Sequence, residues 1–403
     1  MLAVSAVAAV ASMVAVPPDS AYWGYFDWKT LGCLFCVLAV ASALRLMGAF
    51  DRAARTVIAR FGSPRSLALA LVLTTAALSC VATNDMALIM MLPLSAATLV
   101  GAGRARLIPA VFVLQSLAAN LCGMIVPFGN PQNLYLYSYY GLHLGDFLRT
   151  MALPFTVSVV GVVAATWWLA GRPGRKKASA EATRGITTAK APASSTPAAR
   201  AAIGAAAEPA TAPVPRRPMP LSRRRLGAYG VLLALTLLAV FRVLPIAVAV
   251  AAVAATLAAL DRRALAAVDW SLLATFACFF VFAGNLARIP ELAAILGPLM
   301  DDHGLIISAG ASQVISNVPA AVLLSHFTDA WQPLLVGVNI GGAGTLVGSL
   351  ASLITLQHFT SVRKVFPQTR DVPELSTGRF LGLFTLLNVA FLVILLVACG
   401  LCG

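Results

Sequence analysis

Acidic residues are scarce in this chain: 15 Asp and Glu stand among 403 residues, against 29 Lys and Arg. Charged residues of both signs reach only 11%, while apolar ones reach 60%. Soluble domains average about a quarter charged and roughly half apolar. A water-soluble globule is therefore excluded, and an all-α polytopic membrane protein is implied. Histidine is scarcer still. His143, His303, His326 and His358 are scattered without spaced partners, so no zinc pattern exists and no metal site is expected. GxSxG and HExxH are both missing, which leaves an intramembrane hydrolase, and an enzyme in general, without support. The Gly341-Gly342-Ala343-Gly344-Thr345 run has no Lys after it and no strand before it, so it is not a phosphate loop. No organic cofactor is implied.

The seven cysteines all lie in apolar segments. Cys33/Cys36 and Cys399/Cys402 have CxxC spacing, but on a helix that spacing simply puts two small side chains on one face. A formal charge of +14 would suggest nucleic acid in a soluble protein. Here residues 172–225 hold twelve Lys and Arg against two Glu, so most of the excess sits in one stretch beside membrane segments. Such a stretch marks the cytoplasmic side, and no nucleic-acid partner is expected. Its Ala, Pro, Ser and Thr content without periodicity reads as a disordered linker. The chain thus divides into an N-terminal membrane repeat, 1–171, a basic cytoplasmic linker, 172–225, and a C-terminal membrane repeat, 226–403. The start is apolar from Leu2 to Val16 with no charged leader region, and is expected to stay as a first helix.

The second half repeats the first in order. Asp27-Trp28 opens an apolar run, and so does Asp269-Trp270. A polar break follows, Thr83-Asn84-Asp85 in one half and Ser316-Asn317-Val318 in the other. A Gly-led break comes next, Gly129-Asn130-Pro131-Gln132-Asn133 against Gly348-Ser349-Leu350-Ala351-Ser352. The offsets are 242 residues from Asp27 to Asp269, 233 from Asn84 to Asn317 and 219 from Gly129 to Gly348. Differences in loop length account for the drift. Paired, interrupted hydrophobic segments at matching places are the sequence mark of a secondary transporter with its site at the repeat interface.

About nine spanning helices are expected, near 2–17, 28–49, 107–142 (broken), 150–170, 226–243, 245–260, 269–286, 333–360 (broken) and 379–401. The stretches 66–101 and 303–331 are expected to be re-entrant hairpins, because their polar tips cannot face lipid. Loop charge agrees. Residues 50–65, 101–107, 172–225 and 361–379 are basic, whereas 287–303 sets Arg288 against Glu291, Asp301 and Asp302. All basic loops then fall on one side, with the N-terminus cytoplasmic and the C-terminus external. The Asp27 span is the second and the Asp269 span the seventh, so the halves are expected to be inverted.

Asn84 and Asn317 lead the candidate site, since an amide offers donors and an acceptor together. Ser316 flanks the second. A chain that breaks inside a membrane also turns helix ends toward one point. The simpler alternative is that each Asn caps its return helix. Asp85 is the one acidic residue inside an apolar stretch, and such groups are costly and usually functional. With Thr83, Gly129 and Gly348 it is the candidate for the coupling ion or proton; the alternative is an N-cap carboxylate. Asn130, Gln132 and Asn133, with Ser349 and Ser352 opposite, add polar groups at the breaks. Val318 replaces Asp85 in the second half, so the site is asymmetric.

These motifs, Asn84-Asp85-Met86-Ala87-Leu88 with Pro93, Gly129-Asn130-Pro131-Gln132-Asn133-Leu134, Ser316-Asn317-Val318-Pro319-Ala320 and Gly348-Ser349-Leu350-Ala351-Ser352, resemble the ion transporter superfamily. Within it the chain is similar to citrate-transporter-like permeases, related to divalent-anion symporters and close to the arsenite/anion permease branch. The resemblance covers 28–170 and 226–401. It implies inverted repeats, re-entrant hairpins, broken helices, a homodimer and elevator-type movement. In the divalent-anion:sodium symporters, Ser-Asn-Thr at the tips holds carboxylate and Na⁺; Thr83-Asn84-Asp85 and Ser316-Asn317-Val318 depart from that. Asn-Asp at this place is more like the arsenite branch, which moves a metalloid hydroxide against protons. The expectation is an inner-membrane secondary transporter of a small anion or oxyanion-like solute, coupled to Na⁺ or H⁺, with that solute and the lipid bilayer as its partners. An arsenite-type efflux permease, a Na⁺/H⁺ antiporter, and a membrane scaffold or sensor with a degenerate site are the rivals.

Overall fold

The computed structural model describes residues 2–171, 223–369 and 372–401; the linker expected at 172–225 lies almost wholly outside the described residues. Among these the chain is helical, with no strand. In order the helices are α1 (Leu2–Ala15), α2 (Trp28–Leu46), α3 (Ala49–Ile58), α4 (Pro64–Ala82), α5 (Asn84–Gly101), α6 (Ile108–Leu117), α7 (Pro131–Tyr139) and α8 (Leu144–Ala170). After the linker come α9 (Arg223–Val240), α10 (Ile246–Leu260), α11 (Arg262–Ala266), α12 (Trp270–Ala287), α13 (Pro290–Ile315), α14 (Asn317–Leu324), α15 (Trp331–Ile340), α16 (Leu350–Val365) and α17 (Thr377–Gly400). Eight helical segments among the described residues are long and apolar enough to cross a membrane. This is a multi-pass membrane protein.

Side chains sort as they do in a lipid solvent. In α1 the buried residues are Ser5, Ala9 and Ser12, while Val4, Val7, Val10 and Val14 face outward. Small residues let helices approach closely, and a buried hydroxyl finds a partner inside. Here Asn285 Nδ2 of α12 donates to Ser12 Oγ at 2.9 Å. In α17 one stripe of Phe380, Phe384, Asn388, Phe391 and Leu395 turns inward. The Asp-Trp pairs open α2 and α12 as expected. Asp27 accepts from the backbone N–H of Lys29 and Thr30, and Asp269 from that of Leu272 at 2.9 Å. These two helices run in opposite directions: Asp27 and Ala287 line one cavity, while Ser42 donates to the Ala267 carbonyl.

Helices α4 and α5 form one hairpin, whose open end is closed by Arg104 donating to the Gly62 carbonyl at 2.7 Å. Its arms are 19 and 18 residues, so either is long enough to cross by length alone. The second hairpin is shorter on its return. Helix α13 bends at His303 (φ −135°, ψ 30°), Thr328 Oγ1 donates to Asp301 Oδ1 at 3.3 Å, and α14 has only 8 residues. The acidic 287–303 segment, read from sequence as a loop, is helical from Pro290 onward. Pro at the first helical position carries no N–H to leave unpaired, which favours a start there. Likewise α8 begins at Leu144 rather than 150, and 49–58 adds an unforeseen helix.

Close packing fixes the second hairpin against α15. A Cβ placed on Gly337 would lie 2.6 Å from Ser308 Cβ and 2.7 Å from the Leu305 carbonyl oxygen. A backbone oxygen cannot swing aside. Gly337→Val is expected to destabilise by ~1–3 kcal/mol. Gly382→Ala, inside α17 with nothing within 4 Å, is the unstrained control and is expected not to lower the midpoint. Thermal unfolding of both variants in detergent checks this; equal midpoints would contradict the packing argument.

Candidate functional site

The two hairpin tips have the same backbone. Thr83 sits at φ 73°, ψ 152° and Ser316 at φ 75°, ψ 154°. That region is strained for any residue with a Cβ. The next residue of each tip then makes the same bond. The Asn84 N–H donates to the Gly129 carbonyl at 3.2 Å, and the Asn317 N–H to the Gly348 carbonyl at 3.0 Å. Each hairpin thus delivers the start of its return helix to a helix break in its own half. A third match lies one turn earlier. Cys80 Sγ donates to the Cys122 carbonyl at 3.5 Å, and Gln313 Nε2 to the Gly341 carbonyl at 2.7 Å.

The breaks meet through amides. Asn120, in a π-helical turn at Ala118–Cys122, accepts at Oδ1 from Asn84 Nδ2 and from Ser349 Oγ, both at 3.0 Å. Its own Nδ2 donates to the Gly342 carbonyl at 3.4 Å. On α15, Asn339 Oδ1 accepts from Asn130 Nδ2 and Gln132 Nε2, each at 3.3 Å, while its Nδ2 donates to Asn133 Oδ1. The starts of α5, α7, α14 and α16 therefore gather around one buried cluster. Helix starts carry unpaired N–H groups and the positive end of the helix dipole.

Every sequence-predicted site residue lies in or beside this cluster. Thr83, Asn84, Asn130, Gln132, Asn133, Ser316, Asn317, Ser349 and Ser352 are all buried. Ser316 Oγ donates to the Gly348 carbonyl at 3.5 Å. Gly129 is required by space: a Cβ there would lie 2.1 Å from the Gly123 carbonyl oxygen. A Cβ on Gly348 would lie 3.0 Å from that of Gly341. Asp85 is half-buried on the first turn of α5, with its N–H bonded to Asn84 Oδ1 at 2.9 Å and its own Oδ1 unpartnered. The residues at the N-cap positions of the two return helices, Thr83 and Ser316, make no side-chain cap bond.

Asn120, Asn339 and Gln313 were not found from sequence. A lone amide in an apolar helix carries little local signal. The repeat did carry one: Asn120 and Asn339 stand 219 residues apart, the same offset as Gly129 and Gly348. A separate cavity of about 440 Å³ opens one turn of α7 beyond Gln132, against Tyr135, Tyr139, Asp27, Arg288 and His326. At its rim Arg288 donates to Asp19 at 2.8 Å and holds that carboxyl below its ordinary pKa.

Membrane-length helices around a buried centre built from helix breaks define a membrane transporter. The chain belongs to the citrate transporter family, whose model matches residues 1–335. It is 32% identical over 336 residues to the inner membrane protein YbiR of Escherichia coli, covering 82% of this chain and 80% of that protein. It is 27% identical over 335 residues to an uncharacterized transporter of Methanocaldococcus jannaschii, covering 82% and 81%. A 46 kDa membrane protein of Mycobacterium leprae is 24% identical over 394 residues, covering 89% and 85%. The family match ends within α15, short of Ser349 and Ser352.

Strain at the tips is measurable. Thr83→Gly is expected to be more stable than Thr83→Ala by about 1 kcal/mol, because only Gly adopts this conformation freely. The same order holds for Ser316→Gly against Ser316→Ala. Unfolding midpoints of the four variants give the comparison, and Ala as stable as Gly would mean no strain is stored there.

Proposed function

We propose that this protein is a secondary active transporter that moves a small anion or oxyanion-like solute across the inner membrane, driven by H⁺ or Na⁺. The observation that carries the reading is the meeting of both hairpin tips and both helix breaks at one buried amide cluster. Irregular backbone deep in a membrane protein persists only where protein or a solute path satisfies it. Four helix starts suit an anion, and freed carbonyls beside them suit a cation.

The matched tips, and the opposed Asp27 and Asp269 helices, support two inverted repeats with re-entrant hairpins. Hairpins and broken helices form the moving unit of an elevator-type cycle, and two copies of the chain associate in the bilayer. Loop charge supports a cytoplasmic N-terminus and an external C-terminus. In this reading Asn84, Asn130, Gln132, Asn133, Ser316, Asn317, Ser349 and Ser352 surround the solute. Asp85, with Thr83, Gly129 and Gly348, holds the coupling ion or proton. The unpartnered Asp85 oxygen also favours a second reading, efflux of a metalloid hydroxide or Na⁺/H⁺ antiport, since an acidic group repels a highly charged anion. Growth under arsenite, or under high Na⁺ at alkaline pH, with and without the gene separates the two.

Asp85→Asn removes the charge with little change of shape. Ion-driven uptake into proteoliposomes is expected to fall at least about tenfold while the protein still inserts. Wild-type flux under both a proton and a Na⁺ gradient would sink the role of Asp85.

A further inference from the structure

Helix α3 leaves the end of α2 and has only 10 residues, about 15 Å of length. The hydrocarbon core of a bilayer is about 30 Å thick. Helix α3 therefore cannot cross it, and α4 starts on the side where α2 stops. The sequence of α3 is amphipathic. Phe50, Ala54 and Ile58 are buried against the bundle, while Arg52, Arg55 and Thr56 are exposed on the opposite arc. Val57, on the flank of the buried stripe, is exposed, and so is Phe61 just past the helix. At a membrane surface such a flank dips toward the acyl chains while the Arg side chains stay among the headgroups.

Charge around α3 is almost all of one sign. Residues 49–65 and 101–107 hold Arg52, Arg55, Arg60, Arg65, Arg104 and Arg106 against one acid, Asp51. Arg104 ties the two segments together by donating to the Gly62 carbonyl at 2.7 Å. It is half-buried, and the other five Arg are exposed. Among the described residues no ion pair joins any of the six to a carboxylate. Trp167, near the end of α8, marks the depth of this patch. It is exposed, and the Arg65 guanidinium carbon lies 5.0 Å from its ring centroid. Exposed Trp favours the headgroup level of a bilayer, so the Arg side chains stand at that level too.

We propose that α3, with the loops 59–65 and 101–106, forms a binding surface for anionic phospholipid headgroups. Arg52, Arg55 and Arg60 hold the phosphates, and Val57 and Phe61 enter the acyl boundary beside them. Charge complementarity and the adjoining apolar pair select a lipid: a free phosphate would meet only half of this surface. Helix α3 packs on both α2 and α4. The lipid is therefore held at the open end of the hairpin whose tip carries Asn84, whatever solute the protein moves.

The test is thermal unfolding of the purified full-length protein in detergent, titrated with phosphatidylglycerol or with phosphatidylcholine of the same acyl chains. A ligand of the native state raises the midpoint. Phosphatidylglycerol is expected to raise it further than phosphatidylcholine, and high salt to shrink that difference. In the triple variant Arg52→Gln, Arg55→Gln, Arg60→Gln, the phosphatidylglycerol concentration giving half of the rise is expected to grow at least about tenfold. Gln keeps helix propensity, and an unchanged midpoint in phosphatidylcholine shows that the variant is folded. Should the triple variant unfold, Arg55→Gln alone is expected to weaken the phosphatidylglycerol response by about fivefold. Arg149→Gln, near the far end of α8, is expected to respond as the wild type does. Equal responses to both lipids in the wild type, or a phosphatidylglycerol preference that survives the substitutions, overturn the inference. So does a rise reproduced by inorganic phosphate alone, since the ligand would then be a free anion.

Discussion

A helix that breaks inside an apolar interior exposes N–H and C=O groups that nothing in lipid can satisfy. Everything at the centre of this protein answers that constraint. The Gly129 and Gly348 carbonyls are met by N–H groups of Asn84 and Asn317. The second break, through Gly341 and Ala343, is pinned by Gln313 Nε2, while Gln313 Oε1 accepts from the Thr345 N–H. In the first half a thiol, Cys80, does the corresponding work with a weaker donor.

Small residues make these meetings possible. Gly123 lets Asn130 and Ser79 come together, and Gly342 lies against the Asn317 amide. The cost is strain at Thr83 and Ser316, which hold a conformation suited to glycine. Two strained, matched tips survive only because surrounding contacts over-determine them.

The hairpin tips of the two halves match in backbone and differ in chemistry. The first brings Asp85, Asn130, Gln132 and Asn133; the second brings Val318, Ser349, Ala351 and Ser352 at corresponding places. Asn120 and Asn339 bind the halves to each other, since each bonds a partner from the opposite half. Matched tips and breaks thus meet at an asymmetric, amide-rich centre with one acid at its edge.

Composition alone decided the class, because 60% apolar residues cannot be covered by 11% charged ones in water. Pattern decided the tips and breaks, because Asn, Gly and Pro inside apolar runs leave few other conformations open. The Asp27 and Asp269 caps were legible for the same local reason. The helical form of 290–302 was not, since acidic residues and Pro290 look like loop until the first-turn position of the proline is known. Only the tertiary structure brought Asn120, Asn339 and Gln313 to the centre. Local sequence fixes where a helix must stop, but which buried amide meets which orphaned carbonyl depends on how helices far apart in the chain cross, and no single segment encodes that.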